Sequence, residues 1–567
     1  MDGLSPRQIA CAGRPALPDK RPRASPWRRF ARRALFFFLA VALSTDLGCT
    51  GIKEYWHNGF KVGPNFTPPT APTECQWIDA ANQQLQGDPA EIRDWWTVFN
   101  DPILNGLIDT AYQQNLDLKT AGQRILAARA QRNIAVGNLF PQHQSAVGTY
   151  VRAQLPDNGA LQLPSSLDLW ATGLNLSWEL DFWGRFRRSI EVADANYGTA
   201  IEDYHDALVM MLSEIATSYV QLRTYEARLQ FSEQNVEIQT GSTQIAEDRF
   251  HRGTATELDV RQARSNLKQT ESLIPPLVIG RRQASDALCI LLGMPPDDLA
   301  KRLAAAPIPV APPQIAIGIP AELLRRRPDI RNAEWELVAQ CARIGIAEAD
   351  FYPRFSVSGF LGVTANEISQ LFTPGSFTAF VAPIVQWDIL NYGRLLNNVR
   401  AQDAKFQATL FQYQQTTLTA QREVEDSLVG FLQSQRQAAS LTQGVAESAR
   451  SVDLVKEQFA AGLTDFNRVY NTESLLVTQQ DQLAQTQGNI AVNLIGVYRA
   501  LGGGWEYFCP APTTCAVAPA AFDLSPAPIR KPNPETLPEV LPPVEPVPVP
   551  LPSIERDNPS LGNPVGR

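Results

Sequence analysis

The chain has 567 residues, a formal net charge of −8 and 19% charged residues, so a basic nucleic-acid-binding surface is excluded as its organising feature. Seven cysteines and four histidines are scattered without metal-ligand spacing, and no phosphate loop or nucleophile–base constellation is found, which argues against an enzyme and calls for no cofactor or metal.

The first 48 residues read as an export signal. Arginines from Arg21 to Arg33 precede the apolar run Ala34–Leu43, whose ten residues suit an h-region; a spanning helix needs about 20. DLGC follows, ending at Cys49, and reads either as a lipidation site or as an incidental cysteine near an ordinary cleavage site. Residues 49–101 then form a separate segment between the export signal and the first helix.

Asp101 and Pro102 are an N-cap followed by proline at the first helical position, predicting a helix from there to about Asn138, stopped by Pro141. Strands are expected near Gln144–Arg152 and Leu169–Phe182. In LSWELDFWGR, Leu176, Trp178, Leu180 and Phe182 alternate with Ser177, Glu179 and Asp181, giving one apolar and one acidic face. A helix of about 100 Å is predicted from Phe186 to Arg252, and another from Glu257 to Leu292 beyond the break at Gly253. The long helix lacks the two-per-seven seam of a coiled coil.

The same order returns. VQWDILNYGR, Val385 to Arg394, repeats the first strand end: Trp178 falls on Trp387, Gly184 on Gly393, Phe250 on Phe459, Gly253 on Gly462 and Val260 on Val469, always 209 residues apart. Upstream the separation is 212, from Asp117 on Asp329 to Pro141 on Pro353. The shift falls between strands, where loops tolerate it. This is an internal duplication, with repeats at 102–310 and 311–508. The second-repeat strand Phe377–Ile389 alternates likewise, although Phe380 and Ile384 interrupt its polar face. Four strands of about ten residues fit a tilted crossing of an outer membrane, yet four cannot close alone, so closure needs several copies. From residue 509 on the chain is rich in proline and reads as an extended, disordered tail, either a plain solvated terminus or an attachment to another envelope component. Cys509 and Cys515 have the spacing for a small disulfide loop.

VGPNFTPP from Val62, WWTVFNDPILNGLIDTAYQQNLDLKTAGQRI from Trp95, LLRRRPDIRNAEWEL from Leu323 and IGIAEADFYPRFSVSG from Ile344 resemble the TolC-like outer membrane efflux proteins, and more closely their NodT-type lipoprotein branch. The resemblance implies a mixed α/β membrane protein: a homotrimer with a twelve-strand barrel in the outer membrane above a twelve-helix periplasmic tunnel. It implies a palmitate-bearing lipid anchor at Cys49, a periplasmic adaptor, and an inner-membrane pump of the resistance-nodulation-division type. The adaptor-docking turns fall on Gly253, Thr254, Ala255, Gly462, Leu463 and Thr464. The periplasmic gate falls on Arg468 and Asn471, with Asn467 one turn away; relatives carry acidic residues there. Asp259, the first-repeat equivalent of Arg468, is expected to help Arg468 lock the closed tip. A protein-secretion duct fed by an ABC-type pump is the rival reading, and a structural periplasmic tether a weaker one.

Overall fold

The structure is a computed structural model that describes residues 52–74, 76–86, 92–154, 166–317 and 325–509. The export signal, Cys49, Cys515 and the proline-rich tail lie outside the described residues.

A short helix α1 (Ile52–His57), strand β1 (Leu85–Gln86) and a 3-10 turn at Trp95–Phe99 precede the first repeat. That repeat consists of α2 (Pro102–Gln114), α3 (Leu116–Gly137), β2 (His143–Gln154), β3 (Ser166–Leu180), α4 (Arg185–His251), α5 (Glu257–Glu271) and α6 (Ile274–Leu291). Helix α7 (Leu299–Arg302) and β4 (Ile315–Ala316), which pairs in parallel with β1, lead to the second repeat. It contains α8 (Pro328–Ala349), β5 (Arg354–Ala365), β6 (Phe377–Gln386), α9 (Arg394–Ala460) and α10 (Phe466–Ala500), and α11 (Trp505–Phe508) follows.

The duplication holds to the residue along the helices. Helices α4 and α9 are both 67 residues long and start at Arg185 and Arg394. Helices α3 and α8 are both 22 residues long and start at Leu116 and Pro328, reproducing the other separation. Gly184 (φ +83°) and Gly393 (φ +79°) precede the long helices in the left-handed conformation, which favours glycine. Trp178 Nε1 donates to the Leu139 carbonyl at 3.2 Å, and its counterpart Trp387 Nε1 donates to the equivalent Phe351 carbonyl at 2.9 Å. The strand is written twice because each copy anchors its hairpin to its own helix end.

Two predicted helices are broken. The first stops at Asn115, whose side chain accepts from Leu118 N (2.8 Å) as an N-cap and donates to the Leu291 carbonyl (2.9 Å). Glu257–Leu292 is interrupted at Ser272–Leu273, before Pro275 and Pro276, which supply no N–H to the ladder. Ala484 and Gln485 occupy the matching positions in α10, which runs unbroken for 35 residues. Strand β3 ends at Leu180, two residues early, because the Asp181 carboxylate accepts from Phe186 N and Arg187 N, both at 3.0 Å, and starts α4. Strand β6 stops at Gln386 rather than Ile389.

The shorter helices stack end to end. Asn115 ties the start of α3 to the end of α6, and at the matching place Arg327 Nη1 donates to the Ala500 carbonyl at 2.6 Å, tying the start of α8 to the end of α10. A core of Trp95, Ile108, Leu212, Phe431, Leu494 and Trp505 fills the level where these junctions meet. Helix α4 packs against α3, α5, α6, α8 and α10, and α9 packs against α8 and α10, a wall rather than a two-stranded coil. Among the described residues no helix is long and apolar enough to cross a membrane.

The sheet has the order β2-β3-β5-β6 and is antiparallel throughout. Its outer strands, β2 and β6, pair with nothing further within the chain among the described residues. Registers such as Gln144↔Leu176↔Gly359↔Val381 put Leu174, Leu176, Trp178, Val357, Leu361 and Val381 on one face. Ser177, Glu179, Ser356, Ser358, Thr364 and Thr378 lie on the other.

Candidate functional site

The residues singled out in the sequence gather at the end of the helices remote from the sheet, in two turns built alike. After α4, Gly253 N donates to the Phe250 carbonyl and Thr254 N to the Arg249 carbonyl, both at 2.9 Å. After α9, Gly462 N donates to the Phe459 carbonyl (3.0 Å) and Leu463 N to the Gln458 carbonyl (2.9 Å). Both are Schellman closures, with Gly253 at φ +71° and Gly462 at φ +81°. In the first turn Thr256 and Asp259 form a capping box: Asp259 N donates to Thr256 Oγ1 (3.3 Å), and Thr256 N to Asp259 Oδ2 (2.8 Å). In the second, Asp465 caps α10 by accepting from Arg468 N at 3.2 Å.

Gly253, Thr254, Gly462 and Leu463 are exposed, and Ala255 and Thr464 half-buried. Leu463 is 78% exposed, large for an apolar side chain in a turn. Beneath the turns Phe459 and Phe466 meet edge to face at 5.5 Å, over Val260, Val469, Ala246 and Val455.

Of the four gate residues, Asn467, Arg468 and Asn471 are exposed on one side of the start of α10. Asp259 is half-buried, and its carboxylate Oδ2 also accepts from Thr256 Oγ1 at 2.8 Å. No ion pair joins Asp259 to Arg468 within the chain among the described residues, because Asp259 is turned into its own helix cap. Among the described residues, the expected lock does not form inside one chain.

Two groups that sequence reasoning missed hold this end together. The Arg249 guanidinium donates to the Phe459 carbonyl of the other turn and to the Thr254 carbonyl at 3.0 Å, and stands 4.6 Å from the centre of the Phe459 ring. Glu473, 2% exposed on α10, accepts from Ser242 Oγ of α4 at 2.5 Å and from Asn266 Nδ2 of α5 at 3.0 Å. Burial pushes its carboxyl above the usual range, and the two hydrogen bonds oppose that rise. Arg249 bonds a carbonyl 210 residues away and Ser242 a carboxylate 231 residues away, so no local pattern marks either.

At the sheet end of the helices, Arg187 donates to the Gly59 (2.6 Å) and Phe60 (2.7 Å) carbonyls, and Tyr55 OH to the Phe182 carbonyl (2.8 Å). Buried Arg188 donates to the Val62 and Gly63 carbonyls at 3.1 and 2.8 Å. Residues Tyr55–Gly63 are thereby pinned where strands meet helices.

The model of the family described as outer membrane efflux protein matches residues 107–294 and 319–503, one match in each repeat. The solvent efflux pump outer membrane protein SrpC of Pseudomonas putida is 30% identical over 79% of this chain and 96% of its own length. Nodulation protein T of Rhizobium leguminosarum bv. trifolii is 28% identical over 79% of this chain and 95% of its own. The solved structure of the outer-membrane channel OprN superposes with a TM-score of 0.74 and 32% identity, covering 78% of this chain and 99% of that one. The two matching repeats, the four-stranded sheet and the paired long helices place this chain in the outer membrane efflux protein family.

Proposed function

We propose that the chain is the outer-membrane exit duct of a tripartite efflux system, conducting small molecules passively from an inner-membrane pump and periplasmic adaptor. One observation carries the reading: a sheet with one apolar face stands on a helical wall, and among the described residues both its edge strands are unpaired. Lipid does not tolerate open strand edges, so β6 of one copy has to pair with β2 of the next. Three copies give twelve strands and a lumen; two give eight, filled by their own side chains. The apolar face then meets lipid and the polar face lines the passage. The homotrimer rests on this closure argument.

The name of the solvent-efflux relative favours small molecules over protein cargo. The exposed turns Gly253–Ala255 and Gly462–Thr464 are proposed to dock the adaptor, and Asn467, Arg468 and Asn471 to line the tip where three copies converge. There Arg468 of one copy is available to Asp259 of its neighbour. Cys49 is proposed as the lipid anchor, a reading supported by the pinning of Tyr55–Gly63 at the strand–helix junction. Repeat limits of 102–310 and 311–508 are proposed, supported by the equal helices α3 and α8 and α4 and α9. No catalytic group is assigned, since conduction through a duct needs none.

The test is electrical. Purified protein reconstituted in planar bilayers should run as a heat-resistant trimer and carry discrete conductance steps. A monomer or dimer that inserts and never conducts would refute the duct.

A further inference from the structure

Aliphatic residues such as Val147, Leu169 and Ile384 share the polar face of the sheet, and one row of that face carries aromatic rings. The register Ser145↔Asn175↔Phe360↔Phe380 places two aromatic residues side by side among serines and threonines. Their rings lie 6.1 Å apart and nearly parallel, at 28°. Lipid does not account for them, because they share the face of Ser177, Ser358 and Thr378.

Phe360 serves the sheet itself. Gly173 and Gly362 are cross-strand partners in the neighbouring row, and a Cβ on Gly362 would stand 2.8 Å from Phe360 Cζ. The ring therefore lies along the sheet and covers the bare backbone of the glycine pair. Phe380 covers no glycine; it sits on the edge strand β6 and is 55% exposed. The strand that closes against β6 in a trimer is β2, which presents Ser145, Val147 and Thr149 on this face, side chains too short to cover a phenyl ring.

We propose that Phe360 and Phe380 form an apolar plate on the lumen wall, three per trimer, that takes aromatic and apolar solutes in transit. The plate deepens the duct reading and rests on it. Twelve strands at a tilt of about 40° enclose a backbone radius of about 12 Å, so flat-lying rings line the passage without plugging it. A solute that stacks on the plate exchanges water for an aromatic face at each of three equivalent positions. The rows on the helix side of it, which include Ala382 and Ile384, carry no phenyl or indole ring, so the plate distinguishes aromatic solutes from equally charged aliphatic ones.

The experiment uses the full-length protein in planar bilayers, with phenyltrimethylammonium or tetramethylammonium added on the extracellular side. The wild-type current should be half-blocked by the aromatic cation at about a fivefold lower concentration than by the aliphatic one. Phe380→Ser, which leaves Phe360 over the glycine pair and so keeps the strand pairing, should bring the two concentrations together. Val381→Ser, on the opposite face, should leave the fivefold ratio standing. Equal block in the wild type, or a ratio that survives Phe380→Ser, overturns the plate. Chemical access gives a second reading: Phe380→Cys should react with a membrane-impermeant thiol reagent and Val381→Cys should not, and the reverse result also overturns it. A wild-type trimer that inserts without any current refutes the duct, a separate outcome from either of these.

Discussion

Replacing Arg249 by alanine removes a side chain that ties the first tip turn to the second. The guanidinium makes a charged hydrogen bond to the Phe459 carbonyl and another to the Thr254 carbonyl, and covers the Phe459 ring. Hydrogen bonds from a charged donor contribute about 1.5–3 kcal/mol when well buried. Arg249 is half-exposed, so about 1 kcal/mol for each bond and about 0.5–1 kcal/mol for the ring contact is the fitting scale. The sum, about 2–3 kcal/mol, is local, because the large core lies far up the helices. It corresponds to roughly a thirty- to 150-fold larger population of opened turns. Hydrogen exchange should therefore accelerate by about that factor at the amides of Gly253, Thr254, Gly462 and Leu463, with protection in the middle of α4 and α9 unchanged. Single-channel conductance should rise in the same variant. Arg249→Lys, which keeps a charge near the ring but loses the fork, should fall between. Unchanged exchange at all four turn amides would show that the turns are held independently and that Arg249 is no staple.

Four further outcomes are expected. Arg468→Ala should raise channel conductance if neighbouring copies meet at this residue; an unchanged conductance removes Arg468 from the gate. Glu473→Ala leaves the buried Ser242 hydroxyl and Asn266 amide without their acceptor and should cost about 2–4 kcal/mol locally, seen as faster exchange in α5 and the start of α10; unchanged exchange would show that α10 is held to α4 and α5 without the carboxylate. Asp206 is pushed up to about 6, by burial first and by neighbouring Asp329 next. Its folded state holds a proton that the unfolded chain has lost, so stability falls as pH rises from about 4 to about 6 and stays lower above that. Asp206→Asn should abolish that slope and raise the melting temperature at pH 7.5, and a variant with the wild-type slope contradicts the assignment. Gly63→Ala should release the N-terminal segment, because Gly63 sits at φ +84° with the Gly345 backbone against it; proteolysis near residue 63 at the wild-type rate would refute this.

The repeat made most of the fold legible. A constant separation across Arg185–His251 and Arg394–Ala460 demands equal helices, and both are 67 residues long. Alternation in LSWELDFWGR was equally readable, since a strand facing lipid on one side and water on the other must alternate. Asn115 was not: it looks like an ordinary helical residue, and only the Leu291 carbonyl, 176 residues on, makes a cap and a break worthwhile there. Its counterpart Arg327 makes the same tie with a longer side chain, so even the duplication did not flag it. The α5–α6 break had a signal, Pro275-Pro276, that helix periodicity alone passed over. At the tip, glycine spacing located both turns because only glycine suits their backbone. Among the described residues, Asp259 does not pair with Arg468 within one chain, because its carboxylate is held in the capping box with Thr256, three residues away. Arg249 and Glu473 escaped because their partners are set by the packing of three helices rather than by spacing.

If this chain is the outer exit for small molecules, accumulation inside cells shows it most directly. A fluorescent efflux dye should reach higher intracellular levels when the gene is deleted and return to the starting level when it is restored. Unchanged accumulation across several dyes, in cells that demonstrably make the protein, would contradict the account and turn attention to exported proteins.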